Sequence, residues 1–173
     1  MTGQEMVDLL GLRLEDTAEA NFSSATKLKA LNVAQTTVVN FLNDAYLTEL
    51  EIVDSITIEP NALSARGYFA LGDGTSANTT ANKPIRNSVK MVQNAYSSNA
   101  YKWAIIVAQK DIKKLDNSYL ASSTDNPIVY VFSNRLYVRP QSGIVQARIY
   151  YIKEPTAIAT NNTSDLNASL HEM

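Results

Sequence analysis

The sequence predicts an α+β protein with its helices and strands segregated along the chain. An N-terminal helical hairpin comes first, then an antiparallel β-sheet or sandwich domain of about six strands, then an extended C-terminal tail. Three observations predict this. Apolar residues recur at steps of three and four through the first 50 residues, the spacing of one face of a helix. From Glu51 the recurrence falls to every second residue, and turn-forming clusters divide the runs, as in half-buried strands. After Pro155 both patterns stop, and "PTAIATNNTSDLNASLHEM" is polar. The divisions are therefore 1–50, 51–155 and 156–173.

Met6, Leu10 and Leu14 are spaced by four, with Val7, Leu9 and Leu12 beside them, which predicts a helix over about residues 3–15. Acidic Glu15, Asp16 and Glu19 lead to Asn21-Phe22-Ser23. The Ser23 hydroxyl suits an N-cap, and Phe22 before it can fold over the first turn. The second helix then carries a stripe of Leu28, Leu31, Ala34, Val38, Phe41, Leu42 and Ala45. A hairpin of two helices cannot bury its stripes alone, so another element or another subunit must cover it.

Period-two residues from Ile52 to Ile58 predict a strand ending at Pro60, and "LSARGYFAL" (63–71) alternates less cleanly. "GDGTSANTTANKP" (72–84) has turn-forming residues and almost no apolar content, and reads as an exposed, mobile loop of the kind that often binds partners. "SVKMVQNAY" and "YKWAIIVAQ" read as strands, the second so apolar that it is expected to be an inner one. Ile112, Leu115 and Tyr119 stand at helical spacing in a short crossover helix near 110–120. Two apolar runs around Ser133-Asn134-Arg135 predict a tight hairpin, because Asn accepts positive φ. Gln141-Ser142-Gly143 turns the chain into a last strand, where Val145, Ala147, Ile149 and Tyr151 alternate with polar or aromatic neighbours until Pro155. "LNASLHEM" reads as the first turn of a further helix.

Composition excludes several chemistries. With no cysteine there is no disulfide, thiolate metal site or cysteine nucleophile. No run reaches the roughly 20 apolar residues that span a bilayer, and "MTGQEMVDLL" has no signal-peptide pattern, so the expectation is a protein soluble where it is made, with no membrane partner. The sequons at Asn21, Asn78 and Asn167 arise readily by chance in a chain rich in Asn, Ser and Thr. Net charge is −2 but unevenly spread: residues 1–60 hold 3 basic and 10 acidic residues, residues 61–173 hold 12 and 7. Such a division fits two solvated faces, or packing of copies through complementary patches.

No catalytic constellation stands out. The one histidine, His171, is the third-last residue of the tail, which leaves a Ser-His-Asp site without its base. Glu15, Asp16 and Glu19 cluster, but acids before a helix are favoured by its dipole. Asp73, Asp111, Asp116, Asp125 and Glu154 are too scattered for a glycosidase pair, and the Gly72–Gly74 "GDG" lacks a phosphate loop's following Lys-Ser/Thr. Tyr130, Phe132, Tyr137, Tyr150 and Tyr151 interleave with Arg135, Arg139, Arg148 and Lys153, the ordinary chemistry of a sheet with one wet face. No catalytic residue, cofactor or metal is expected.

The order of the motifs carries more than any one of them. Arg13-Leu14, then Phe22-Ser23, then Leu31-Asn32-Val33-Ala34-Gln35, followed by "NPIVYVFSNRLYVRP" (126–140) and "VQARIYYIKEPTAI", resembles the head-to-tail connector (adaptor) proteins of tailed bacteriophages. Those proteins carry an "R-x-x-L" helix, a "[FW]-S-D-x-x-L" cap, an "L-N-x-A-Q" helix and a later "L-x-V-x-P…Y-i-x-x-P" block in this order. Ser24 stands where the family usually has an acid. The resemblance implies a homo-oligomeric ring, twelve copies in that family, seated between portal protein and a downstream tail or nozzle protein in the neck of the virion, with viral DNA passing through unread.

The resemblance also implies sites. Thr156, Ile158, Leu166 and Leu170 of the tail are candidates for contact with the portal; Asp73, Thr75, Asn78 and Lys83 of the loop, for contact with the next tail component. Glu15, Asp16, Glu19, Asp44 and Glu49 are candidates for an acidic lumen or inter-subunit face, since like charge repels phosphates. Two other readings stand beside it: another neck or tail-completion ring protein, and a β-sandwich glycan-binding module with a helical oligomerisation segment. In the latter Tyr130, Tyr150 and the sole Trp103 would stack on sugar rings.

Overall fold

The structure, a computed structural model, describes residues 1–57, 67–72, 79–97, 100–116 and 121–166. The fold is α+β. The chain forms two compact units, one of Met1–Leu50 with Glu154–Met173, the other of Glu51–Lys153.

In the first unit, α1 spans Gly3–Arg13. Thr2 and Glu5 start it as a capping box, the hydroxyl accepting from the Glu5 N–H and the carboxylate from the Thr2 N–H. That N–H, above all, holds the Glu5 carboxyl below its ordinary pKa. At the other end the Asp16 N–H donates to the Gly11 carbonyl and the Glu15 N–H to that of Leu12, a Schellman closure with Glu15 at φ 53° where glycine is usual. Helix α2, Ser24–Phe41, starts as expected on Ser23, whose hydroxyl accepts from the Thr26 N–H. Short 3₁₀ turns at Asp44–Tyr46 and Thr48–Leu50 follow.

The expected helical stripes need correction. On α1 Met6 and Val7 are buried, whereas Leu12 and Leu14 are exposed. On α2 the buried residues are Lys27, Gln35 and Val39, with Leu28, Leu31, Val38 and Leu42 half-buried beside them; Ala34, Phe41 and Ala45 are exposed. The inward face of α2 is thus partly polar, because its partners include main chain, which apolar periodicity does not reveal. The tail, divided from the hairpin in the sequence, packs on it through residues 154–166, burying Ile158 and Leu166.

The second unit is a sandwich of two four-stranded sheets among the described residues. Its strands are β1 Glu51–Thr57, β2 Tyr68–Ala70, β3 Pro84–Ala95, β4 Tyr101–Trp103, β5 Ile105–Ile106, β6 Ile128–Phe132, β7 Arg135–Arg139 and β8 Gln146–Lys153. One sheet runs β1-β8-β3-β4 and the other β2-β7-β6-β5; every pairing is antiparallel except the two-residue β5–β6 pair. Ile56, Val92, Ala147, Ile149 and Tyr151 of the first sheet face Phe69, Val129, Leu136 and Val138 of the second in one apolar core. Each large buried side chain contributes about 1.5–3 kcal/mol.

The β6–β7 hairpin turns on Ser133 and Asn134, both at positive φ (47° and 60°), the two-residue geometry that matches strand twist. Asn134 also binds Leu71 in both directions, through its own carbonyl and its side-chain amide, which ties the turn to the end of β2.

"YKWAIIVAQ" is not the inner strand its composition suggests. The Ala104 N–H still donates to Val92, while that of Ile105 donates to the carbonyl of Pro127, so the run leaves one sheet and joins the other. Each half is an edge strand, and Trp103, Ile105 and Ile106 are exposed. The crossover helix is 3₁₀ over Gln109–Asp116, and residues 117–120 lie outside the described residues.

Candidate functional site

The residues of the L-N-x-A-Q motif form a clasp on α2. Asn32 receives the Ile158 N–H on its side-chain oxygen (2.7 Å) and donates from its amide nitrogen to the Ile158 carbonyl (3.1 Å) and to Leu28 (3.0 Å). One turn on, Gln35 donates to the Thr156 carbonyl (3.0 Å) and accepts from the Ser164 hydroxyl (2.9 Å). The start of α1 completes the grip: the N–H groups of Gly3 and Gln4 donate to Asn162 and Thr160, two of the orphan donors of a helix N-terminus. A Cβ on Gly3 would lie 1.9 Å from the Ala159 carbonyl oxygen, so only glycine lets the strap pass. These contacts bond chiefly to main chain and hold residues 156–164 as a strap that turns once, at Ala159–Asn162.

A second clasp joins the helices. The Asp16 carboxylate accepts from the Asn21 and Phe22 N–H groups (3.0 and 2.9 Å) and lies 3.3 Å from the Lys27 ammonium, which donates to the Asp16 carbonyl at 2.7 Å. Both side chains are almost wholly buried. The Asn21 N–H, with those of Phe22 and the Lys27 charge behind it, holds the Asp16 carboxyl below its ordinary pKa against the opposing effect of burial.

These clasps decide where several expected site residues lie. Asp16 cannot line an acidic lumen, since it is buried and spent on the loop and on Lys27. Glu15, Glu19 and Glu49 are exposed and Asp44 is half-buried; Glu19 also accepts from the Ser24 hydroxyl at the head of α2. In the tail, Ile158 and Leu166 face inward and Thr156 is exposed, its N–H donating to Asp165; Leu170 lies outside the described residues.

The loop expected at 72–84 is anchored at its base. Thr80 is fully buried, accepting from the Gly72 N–H (2.7 Å) and donating to the Asn82 carbonyl (2.8 Å). Asp54 accepts from the Tyr151 hydroxyl (2.6 Å) and the Ala81 N–H (2.8 Å). Burial, then the Asp54 carboxylate, pushes the Tyr151 phenol well above its ordinary pKa. Lys83 is exposed, its backbone against Gly72, and Asp73, Thr75 and Asn78 lie outside the described residues.

Of the three aromatics read as sugar-stacking candidates, the fold brings two together. Trp103 and Tyr150 sit 5.7 Å apart on the outer face of the first sheet, whereas Tyr130 is on the other sheet, stacked on Tyr137 at 4.8 Å.

Sequence reasoning missed the outward face of α2. Ala30, Val33, Ala34, Thr37 and Phe41 follow one another at helical spacing and all are exposed, Phe41 at 85%. This second stripe lies beside the buried one on the helical wheel, and its signal was the presence of more apolar positions than one face can hold. A cleft of about 200 Å³ opens beside Lys27, with Asp8, Thr17 and Glu19 on its rim. Among the described residues no group of three His, Cys, Asp or Glu could hold a metal ion, and no helix is long and apolar enough to cross a membrane. Comparison with known protein families and with curated protein sequences finds no match to this chain.

Proposed function

We propose that this chain is a virion structural protein, a subunit of a head-to-tail connector ring that docks on the portal, links capsid to tail and surrounds the DNA passage without catalysis or sequence readout. The observation that carries the reading is the exposed stripe of α2, from Ala30 to Phe41, on a helix whose adjoining face is already occupied by its own chain. Small side chains followed by one large aromatic suit close helix packing, and in a ring each subunit covers such a face with a different surface of its own. The order of motifs supports the same reading, as does the placing of two of them, Phe22-Ser23 and Asn32 to Gln35, at the clasps that set the helical unit. Exposed Glu15, Glu19 and Glu49 suit a wall that sheds phosphate. With Ile158 and Leu166 turned inward, portal contact falls to Thr156 and the exposed part of the strap.

The test is electron cryomicroscopy and native mass spectrometry of the full chain, alone and with the portal protein of the same virus. The expected result is a closed ring, of twelve copies, with the exposed face of α2 covered by the next copy and the ring seated on the portal. A monomer at every concentration with no portal affinity overturns the reading.

A further inference from the structure

Outside the helical unit, the outer face of the sheet β1-β8-β3-β4 carries a cluster of exposed apolar and planar polar side chains. Its register sets three rows across the strands: Val53, Tyr150 and Met91; Ser55, Arg148, Gln93 and Trp103; Thr57, Gln146, Ala95 and Tyr101. Val53, Met91 and Trp103 are 49%, 46% and 55% exposed, although each is large and apolar. Between them lie planar polar groups that the aromatics hold in place. The Tyr150 hydroxyl donates to Gln93 (3.2 Å), the Tyr101 hydroxyl to Gln146 (2.7 Å), and the Arg148 guanidinium lies 3.9 Å above the Tyr101 ring. Each glutamine thereby accepts on its carbonyl and keeps a two-hydrogen donor for another group. Trp103 leans towards Tyr150 with 38° between the ring planes.

From this geometry we infer a binding face for a saccharide chain carrying acidic sugars. The pattern decides the class of occupant. A protein-binding patch gathers its apolar groups at the centre and its polar ones at the rim. Here every apolar side chain has an amide, hydroxyl or guanidinium beside it, which suits a ligand that is itself apolar on its ring faces and rimmed with hydroxyls. The indole of Trp103 presents a broad surface to the C–H face of a sugar ring, while Gln93 and Gln146 meet hydroxyl pairs. The three rows contain one cation, Arg148, and no carboxylate, and Glu51 at the next position of β1 is neutralised by Lys90, so the face favours a sugar with a carboxylate, which a guanidinium binds with two parallel hydrogen bonds. The surface is an open sheet face rather than a pocket, and it fits a chain lying along it.

Trp103 is the only tryptophan, so its fluorescence reports on this face alone. The full chain is titrated with uronic-acid and sialylated oligosaccharides and with neutral oligosaccharides of equal length, following protection of Trp103 from acrylamide and the NMR signal of its indole N–H. The acidic saccharides are expected to protect Trp103 and shift that signal. Affinity should fall about tenfold in Arg148→Gln and in Gln93→Ala, and stay unchanged in Arg139→Gln on the other sheet, with circular dichroism showing all three folded. Four results would each overturn the inference. They are no response to any acidic saccharide up to roughly 10 mM, neutral saccharides binding equally well, protection that survives both variants, and protection that follows protein concentration alone. The last would assign the face to a second copy of the chain. None depends on ring formation.

Discussion

Asn32 and Ile158 pair as two strands would, the side-chain amide of one taking both main-chain bonds of the other at 2.7 and 3.1 Å, across 126 residues of sequence. A side chain that copies a peptide group binds main chain whatever its sequence, so Asn32 adds to the strap's hold independently of the buried Ile158 and Leu166 side chains. Asn32→Ala should cost about 2 kcal/mol, two hydrogen bonds at roughly 1 kcal/mol each. Asn32→Asp keeps the acceptor but sets a charge against the Ile158 carbonyl, and should be at least as damaging. Urea unfolding measures the loss, and hydrogen exchange locates it: the Ile158 amide should lose protection while the strands of the sandwich keep theirs.

Gly3 tests the same contact from the other side. Alanine is the better helix former by about 1 kcal/mol, which predicts that Gly3→Ala stabilises. The added carbon would lie 1.9 Å from a main-chain oxygen of Ala159, and overpacking of that kind costs about 1–3 kcal/mol. The second effect wins because the obstacle is backbone and cannot rotate away. Gly3→Ala should therefore lower the melting temperature; a rise would mean that the strap leaves the start of α1 without cost.

What the sequence shows and hides follows from the range of each interaction. The β6–β7 hairpin is legible because its signal, Ser133-Asn134 between apolar runs, is local and the turn geometry demands it. The Ser23 cap is legible for the same reason, and Thr2 with Glu5 carries an equally local capping signature. "YKWAIIVAQ" misleads because apolar content does not say that Ala104 is where a chain changes sheets. Helix α2 misleads because Lys27, Gln35 and Asn32 turn polar groups inward to bind main chain and Asp16, while Phe41 turns outward. Periodicity assumes the reverse. Of the candidate site residues, only the exposed acids could be placed without the fold; Asp16 meets Lys27 11 residues away and Ile158 meets Asn32 126 residues away, contacts no local pattern announces.

The Asp16–Lys27 clasp makes the stability of the helical unit depend on pH. The folded carboxyl sits below its ordinary value, chiefly through the Asn21 N–H, so its contribution is present above the unfolded pKa near 4 and is lost as pH falls through the folded value. Stability in acid should fall in the wild type below about pH 4, and this step should be smaller in Asp16→Asn. Lys27→Met removes the ammonium from a buried carboxylate and should cost about 3 kcal/mol at neutral pH. Chemical denaturation across pH 2.5–7, followed by helix ellipticity, separates the two variants.

Asn94 poses the opposite problem, a polar group buried with nothing to bind. It lies on the inner face of β3, opposite Ala147 and in line with Val92, with no exposed surface, and neither its amide nitrogen nor its oxygen has a hydrogen-bond partner among the described residues. Burying such a group costs about 1–3 kcal/mol, more than most single apolar contacts return. Leucine has the same branched skeleton with somewhat bulkier ends and needs no partner, so if the core yields to the two methyls Asn94→Leu should stabilise the sandwich by about 1 kcal/mol, read as a higher urea midpoint with an unchanged slope. A fall in stability would show that the amide is satisfied in solution, by a buried water or by another part of the chain. Asn94→Asp distinguishes these cases: a charge at a dry site should cost several kcal/mol, whereas beside an ordered water the loss should be smaller.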